Sequence, residues 1–345
     1  MKVAVVTNQA PFVRGGAELL AEWLVLALKE RGHLAELVRI PFAWTSPQRI
    51  ADSMLAARLV RLAGVDRVIA LKFPAYYVPH HDKVLWLLHQ FRQAHELWGT
   101  PLQDLPDTPE GVDVRDAIRA ADRNLLRESK AIYTISHVVS DRLTASTGLG
   151  SEVLYHPLRD TSGYTSAGYE PFVFYPSRLT AGKRQQLAVE AMEHVPAGMR
   201  LVIAGAPETP ADLERLRGTV DRLGLADRVE ILDGWLDEAR KCDLLARCRA
   251  VLYCPLDEDF YGYVTLEAFH SRKPVITCTD SGGTHEVVHD GHTGWVADPD
   301  AASLGAAIVR AGEDADEARR RGEAGLELLG HLQIDWDHVV EKLTS

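Results

Sequence analysis

Residues 257 to 285, DEDFYGYVTLEAFHSRKPVITCTDSGGTH, decide the fold of this chain. Three carboxylates open the stretch, an apolar helical pattern follows over 264–269, and a short apolar run at 275–278 stops at Ser281-Gly282-Gly283. A helix feeding a short apolar strand that ends in a glycine turn is the repeating unit of a parallel α/β sheet. Such sheets bind ligands beyond the carboxyl ends of their strands. Asp259 and Glu267, with seven residues between them, offer acceptors to hydroxyl groups. The backbone N–H groups near 260–262 and 281–283 are placed at two helix starts, where they suit an anion. The expected ligand therefore carries both hydroxyls and phosphates.

Outward from this stretch the same alternation fills the chain. Strands are expected at 2–6, 35–39, 67–71, 84–88, 131–135 and 153–156, and again at 172–175, 201–204, 229–232, 250–254, 275–278 and 295–297. Between the two sets, 157–171 is mostly Gly, Ser, Thr, Tyr and Pro without periodicity, which reads as the place of an interdomain linker. A closing helix is expected over 334–343. The long segment 90–113, rich in Pro, Gly, Asp and aromatic residues, reads as a mobile or acceptor-facing element. No sequence repeat relates the halves.

At 345 residues the length suggests two domains of about 150 residues each. A net charge of −11 gives no overall basic footprint for nucleic acid. Arg115, Arg119, Arg123 and Arg127 recur every four residues, but Asp116, Asp122 and Glu128 are interspersed, so a solvated helix face competes with an acceptor- or membrane-facing one. Cys242, Cys248, Cys254 and Cys278 show no CxxC spacing and read as free thiols of a reducing compartment. The first apolar run, 3–6, is too short for a signal peptide or a membrane span, so a cytoplasmic protein is expected, with peripheral contact at the inner face of a membrane as an alternative.

The candidate residues all follow strands. Gly15-Gly16, ahead of Ala17-Glu18, allows close backbone approach to a phosphate or sugar, or is simply a tight turn. His89 closes the apolar VLWLL. Arg178 and Lys183 lie in RLTAGK, where two cations would stabilise charge developing on a phosphate leaving group; a plain basic loop is the competing reading, since Arg184 is basic too. Glu267 is a carboxylate inside an apolar helical pattern. Trp235, after Asp233-Gly234, suits stacking on a base or ordinary packing.

Together these residues resemble the retaining GT4 glycosyltransferases, whose signature is Glu, seven residues, Glu, ahead of a Gly-Gly loop. The likeness runs over nearly the whole chain, most specifically from 178 to 298. It implies an α/β fold of GT-B architecture, two Rossmann-like domains facing across a deep cleft: an acceptor domain at 1–160, a linker at 161–171, a donor domain at 172–330, and a helix at 331–345 packing back on the first domain. The implied enzyme moves a hexosyl or related group from a UDP- or GDP-linked sugar to an acceptor hydroxyl with retention of anomeric configuration. It needs no metal and no cofactor, and serves glycan, glycolipid or glycosylated natural-product synthesis. Its partners are the nucleotide-sugar donor and a glycan, lipid-linked or small-molecule acceptor, with no nucleic acid.

By the same resemblance the catalytic set is His89, Arg178, Lys183 and Asp259. Donor-binding positions are Gly15, Gly16, Tyr261, Gly262, Glu267, Ser281, Gly282 and Gly283, with Trp235 a candidate base contact. The family usually has Glu at the first carboxylate, and an extra residue within Asp257-Glu258-Asp259-Phe260-Tyr261-Gly262 would make Glu258 the functional one in place of Asp259. Other classes compete: a nucleotide-sugar epimerase, a non-catalytic nucleotide-sugar sensor, a zinc hydrolase through His285-Glu286-Val287-Val288-His289, and a DxD metal clamp at Asp257-Glu258-Asp259. For the zinc motif the context is poor, since it follows Ser-Gly-Gly directly and is ended by Asp290-Gly291.

Overall fold

The structure, a computed structural model, describes residues 1–9, 12 and 15–345. The chain divides into two compact units, Met1–His156 with Ile334–Ser345, and Pro157–Gln333.

In the first unit the described residues form six parallel strands, β1 (Lys2–Gln9), β2 (Leu34–Pro41), β3 (Arg67–Ala70), β4 (Lys83–Leu87), β5 (Ala131–Thr134) and β6 (Glu152–Val153), ordered β2-β1-β3-β4-β5-β6. Helices α1 (Gly16–Glu30), α2 (Pro47–Leu59), α3 (Pro109–Leu125) and α4 (His137–Thr147) connect them. The central strands are buried along their length, which is why they read as unbroken apolar runs.

The second unit repeats the plan with β7 (Phe172–Pro176), β8 (Arg200–Gly205), β9 (Val229–Asp233), β10 (Ala250–Leu252), β11 (Val275–Cys278) and β12 (Gly294–Ala297), ordered β12-β11-β10-β7-β8-β9. Its helices are α5 (Gln185–Ala191), α6 (Pro210–Arg222), α7 (Glu238–Arg247), α8 (Tyr263–His270), α9 (Ala301–Glu313) and α10 (Ala315–His331). The order places β7, β10 and β11 side by side, so the three loops leaving their carboxyl ends are neighbours. β10 stops two residues short of the expected 254 because the Cys254 N–H donates to the Tyr175 hydroxyl at 3.2 Å, which turns the chain into its loop.

The final helix, α11 (Trp336–Thr344), belongs to the first unit. Trp336 meets Trp86 edge-on at 6.4 Å, and Arg67 donates to the carbonyls of Leu343 at 3.1 Å and Ser345 at 2.6 Å. It starts later than the expected 331, because His331 closes α10. No helix among the described residues is long and apolar enough to cross a membrane.

Three readings change in detail. The first unit ends at His156, and 157–171 belongs to the second unit. It lacks periodicity because fixed side chains and loops hold it, with no ladder of its own: buried Lys273 donates to the carbonyl of Gly168 and to Ser166 and lies 3.7 Å from the Tyr169 ring centre, while Glu170 pairs with Arg247 at 2.9 Å. Burial brings the Lys273 pKa down to about 8. The segment 90–113, expected as a mobile or acceptor-facing element, contains a single-turn helix at Arg92–Ala94, and its end is the start of α3, capped by Thr108. The α3 arginine face is not uniformly solvated either: Arg115 lies over the Trp98 ring and Asp122 is fully buried.

Candidate functional site

The site grows from three neighbouring loops of the second unit. The β7 loop brings Lys183, whose ammonium donates to Glu258 Oε1 at 2.5 Å and to the Tyr253 hydroxyl at 2.9 Å, with the Tyr253 ring centre 5.2 Å away. Tyr253 and Glu258 come from the β10 loop. Burial pulls the Lys183 pKa down, but Tyr253 and Glu258 outweigh it and hold the group cationic above its ordinary range. Burial pushes the Tyr253 hydroxyl up to about 12, so it stays protonated as a hydrogen-bond partner.

Arg184 binds the loops together. It adopts a left-handed backbone (φ 57°), forks onto Asp280 at 2.8 and 2.7 Å, and donates to the carbonyls of Cys254 at 2.8 Å and Pro255 at 2.9 Å. Read from sequence only as support for the competing basic-loop reading, it is the clasp between the β7, β10 and β11 loops. Arg178 is exposed in the same β7 loop, and its carbonyl accepts from Gln185 at 2.8 Å. Gly205 at the end of β8 lets this loop lie close, since a Cβ there would fall 2.0 Å from the Ser177 carbonyl oxygen.

The glycine loop after β11 has a different task from the one its sequence suggests. The Gly283 N–H donates to the Glu258 carbonyl at 2.8 Å and the Ser281 N–H to the Cys278 carbonyl at 3.0 Å, so these groups are consumed inside the protein and do not face an anion. Gly282 pairs with Glu258 in a parallel bridge at φ +62°, and a Cβ on Gly283 would lie 2.6 Å from Phe260 Cα. The loop is thus a buttress that seats 258–260. Ser281 is fully buried, with its Oγ accepting from the Cys278 N–H. Tyr261 is also fully buried, which removes its side chain from any open donor surface. Gly262 caps α8 at φ +75°, and a Cβ there would strike the Tyr253 ring at 2.6 Å.

Of the two alternative first carboxylates, Glu258 is the one paired with Lys183, while Asp259 is buried at 6% exposure. Glu267, on α8, is nearly buried too. Its Oε1 accepts from Lys241 on α7 at 2.7 Å and from the Tyr164 hydroxyl at 3.2 Å. Burial raises the Glu267 pKa and Lys241 opposes that rise. Trp235 follows β9 and is 92% exposed.

In the first unit, Gly15 precedes α1 and its N–H donates to Glu18 Oε2 at 2.9 Å, while Lys72 donates to Glu18 Oε1 at 2.7 Å. The turn is locked by a partly buried ion pair, with the neighbouring positions 10, 11, 13 and 14 outside the described residues. His89 is half-buried, and its Nδ1 lies 2.6 Å from the Gln90 carbonyl. A carbonyl only accepts, so Nδ1 carries a proton. Gln90 is itself clamped, donating to buried Asp122 at 2.7 Å and accepting from Ser146 at 2.7 Å.

The HEVVH stretch does not form the α-helix that a zinc motif requires. Gly283–Glu286 is a single-turn helix, Val287 and Val288 are buried, and the His285 Nε2 is 3.0 Å from the Cys278 carbonyl. Among the described residues no group of three or more His, Cys, Asp or Glu side chains is arranged to hold a metal ion.

Over 99% of this chain, the fold matches that of sucrose-phosphate synthase from Thermosynechococcus elongatus (TM-score 0.80, 17% identity, 97% of that chain). It also matches Anabaena HepE in complex with UDP and glucose (TM-score 0.71, 19% identity, 98% of that chain). The class is therefore α/β GT-B, with two Rossmann-like halves. Residues 162–327 match the family model of glycosyl transferases group 1. Alpha-maltose-1-phosphate synthase of Mycolicibacterium smegmatis is 30% identical over 249 residues, covering 66% of this chain and 63% of that protein. The human alpha-1,3/1,6-mannosyltransferase is 30% identical over 147 residues, covering 39% of this chain and 35% of that protein. The chain thus spans less than two thirds of the length of either relative.

Proposed function

We propose that this chain is a hexosyltransferase that moves a sugar from a nucleoside diphosphate donor, UDP- or GDP-linked, to an acceptor hydroxyl with retention of anomeric configuration and without a metal or cofactor. The observation that carries the reading is the convergence of Lys183, Arg184, Glu258 and Gly283 from three adjacent strand ends, with the β10 loop leading directly into α8, which carries Glu267. Lys183 and Arg178 neutralise the diphosphate as it leaves, and Glu267 accepts from the ribose hydroxyls. Asp259 accepts from hydroxyls of the transferred sugar, and Glu258 positions Lys183. Trp235 is exposed as a stacking surface would be.

Retention proceeds on one face of the sugar. The acceptor oxygen bonds to the anomeric carbon as the bond to the phosphate oxygen breaks, and the acceptor proton passes to that leaving oxygen. Charge on the leaving group is met by side chains already held in place, which is the electrostatic form of catalysis.

Thermal-shift titration with UDP-, GDP-, ADP- and TDP-sugars in excess EDTA tests the binding half. A ligand at 100 times its Kd stabilises by roughly 2.7 kcal/mol. At least one donor is expected to raise Tm in EDTA, and no shift with any of them would overturn the reading. With the donor found, NMR of the product is expected to show the anomeric configuration of the donor; inversion would overturn retention.

A second measurement separates the carboxylates. Asp259→Ala is expected to weaken binding of the whole nucleotide sugar about tenfold or more while leaving the free nucleoside diphosphate nearly unchanged, as loss of a charged hydrogen bond to sugar alone predicts. Glu258→Ala is expected to weaken both ligands, because it loosens Lys183. If Glu258→Ala gives the sugar-specific loss instead, the two roles are exchanged.

A further inference from the structure

Glu267 is 8% exposed, and an isolated carboxylate at that depth is driven toward its neutral form. The structure supplies a countercharge that no signature motif contains. Lys241, one turn into α7, reaches Glu267 Oε1 at 2.7 Å and Glu238 Oε1 at 3.1 Å. Tyr164 reaches the same Glu267 oxygen at 3.2 Å and Glu238 at 3.0 Å, with the Lys241 ammonium 5.9 Å from its ring centre. Both contacts fall on Oε1. A carboxylate gripped by one oxygen has its plane set, and its second oxygen becomes an acceptor of defined direction.

We propose that Lys241 and Tyr164 form a positioning clamp that fixes Glu267 by one oxygen and turns Oε2 toward the donor, so that the site selects ribonucleoside over 2′-deoxyribonucleoside diphosphates. This rests on the reading of Glu267 as the ribose-binding carboxylate. An acceptor-only oxygen rewards each hydroxyl that donates to it, and a ligand lacking one leaves the buried charge short of a partner. A protonated or rotated Glu267 loses that preference. Tyr164 lies in the aperiodic segment 157–171, so one function of that segment is to complete the clamp.

The test compares Kd values of UDP with 2′-deoxy-UDP, and of GDP with 2′-deoxy-GDP, for the full chain and for Lys241→Met, Lys241→Arg and Tyr164→Phe. Wild type is expected to prefer the ribonucleotide by roughly tenfold, the worth of one hydrogen bond to a charged group. Lys241→Met is expected to bring the preference to about twofold, chiefly by weakening the ribonucleotide, and Lys241→Arg to restore most of it. Because losing the countercharge raises the Glu267 pKa further, ribonucleotide binding to Lys241→Met should fall as pH drops from 8 to 6 and recover as pH rises. Wild-type binding should fall less steeply over that range. A purely structural loss would weaken both sugars equally and would not recover at higher pH; that pattern, or an unchanged preference in both Lys241→Met and Tyr164→Phe, overturns the clamp while leaving Glu267 at the ribose. If Glu267→Gln also leaves the wild-type preference intact, the ribose assignment itself falls.

Discussion

Lys183→Ala is expected to lower turnover by about two to three orders of magnitude with the fold intact, the effect of removing one preorganised donor to a developing anion. The ammonium is not a surface charge: Glu258 and Tyr253 hold it in place, so no reorganisation is needed when the phosphate leaves. Lys183→Arg should recover only part of the rate, because a planar fork does not reproduce a point charge seated against the Tyr253 ring. Arg178→Ala, in the same loop but exposed, is expected to cost about two orders of magnitude in kcat. Rates measured beside thermal unfolding curves decide the matter. Near-full activity of either alanine variant with an unchanged Tm removes that residue from the mechanism.

Gly283→Ala should damage the site through a single added methyl. The added Cβ would lie 2.6 Å from Phe260 Cα, 2.7 Å from Phe260 N and 2.8 Å from the Asp259 carbonyl oxygen, all backbone atoms that no rotamer change can move aside. The strain of overpacking is about 1–3 kcal/mol, and it is relieved by displacing the loop that carries Glu258 and Asp259. Donor affinity is expected to fall at least roughly tenfold with a Tm several degrees lower, a shift of the size such a stability loss produces. Gly218→Ala is the control, since nothing lies within 4 Å of its added Cβ and it sits inside α6. Equal behaviour of the two variants would show that the glycine loop does not seat the carboxylates.

Much of the site was legible in the sequence because its parts are local. Arg178 and Lys183 stand between a strand and a helix, Glu267 interrupts an apolar helical face, and the strands of parallel sheets are buried on both sides and so print as apolar runs. What misled was also local. Ser281-Gly282-Gly283 has the composition of an anion-binding turn, yet its N–H groups at 281 and 283 are spent on Cys278 and Glu258, partners that only the neighbouring loop supplies. Asp122, spaced like a solvated helix residue, turns inward because Tyr76, Tyr77, Gln90 and His95 converge on it from other segments.

The order of residues along the chain determined by itself that there are two α/β halves, where their strands lie, and which loops carry cations and carboxylates. Strand order in the sheet decided the rest. Placing β7 beside β10 and β10 beside β11 is what brings Lys183 to Glu258 across 75 positions of chain, and Arg184 to Asp280 across 96. The choice of Glu258 as the lysine's partner, and the capture of Glu267 by Lys241 and Tyr164, follow from burial. A charge removed from water must find a countercharge or a donor within about 3 Å, and which residue that is depends on the neighbours that folding supplies.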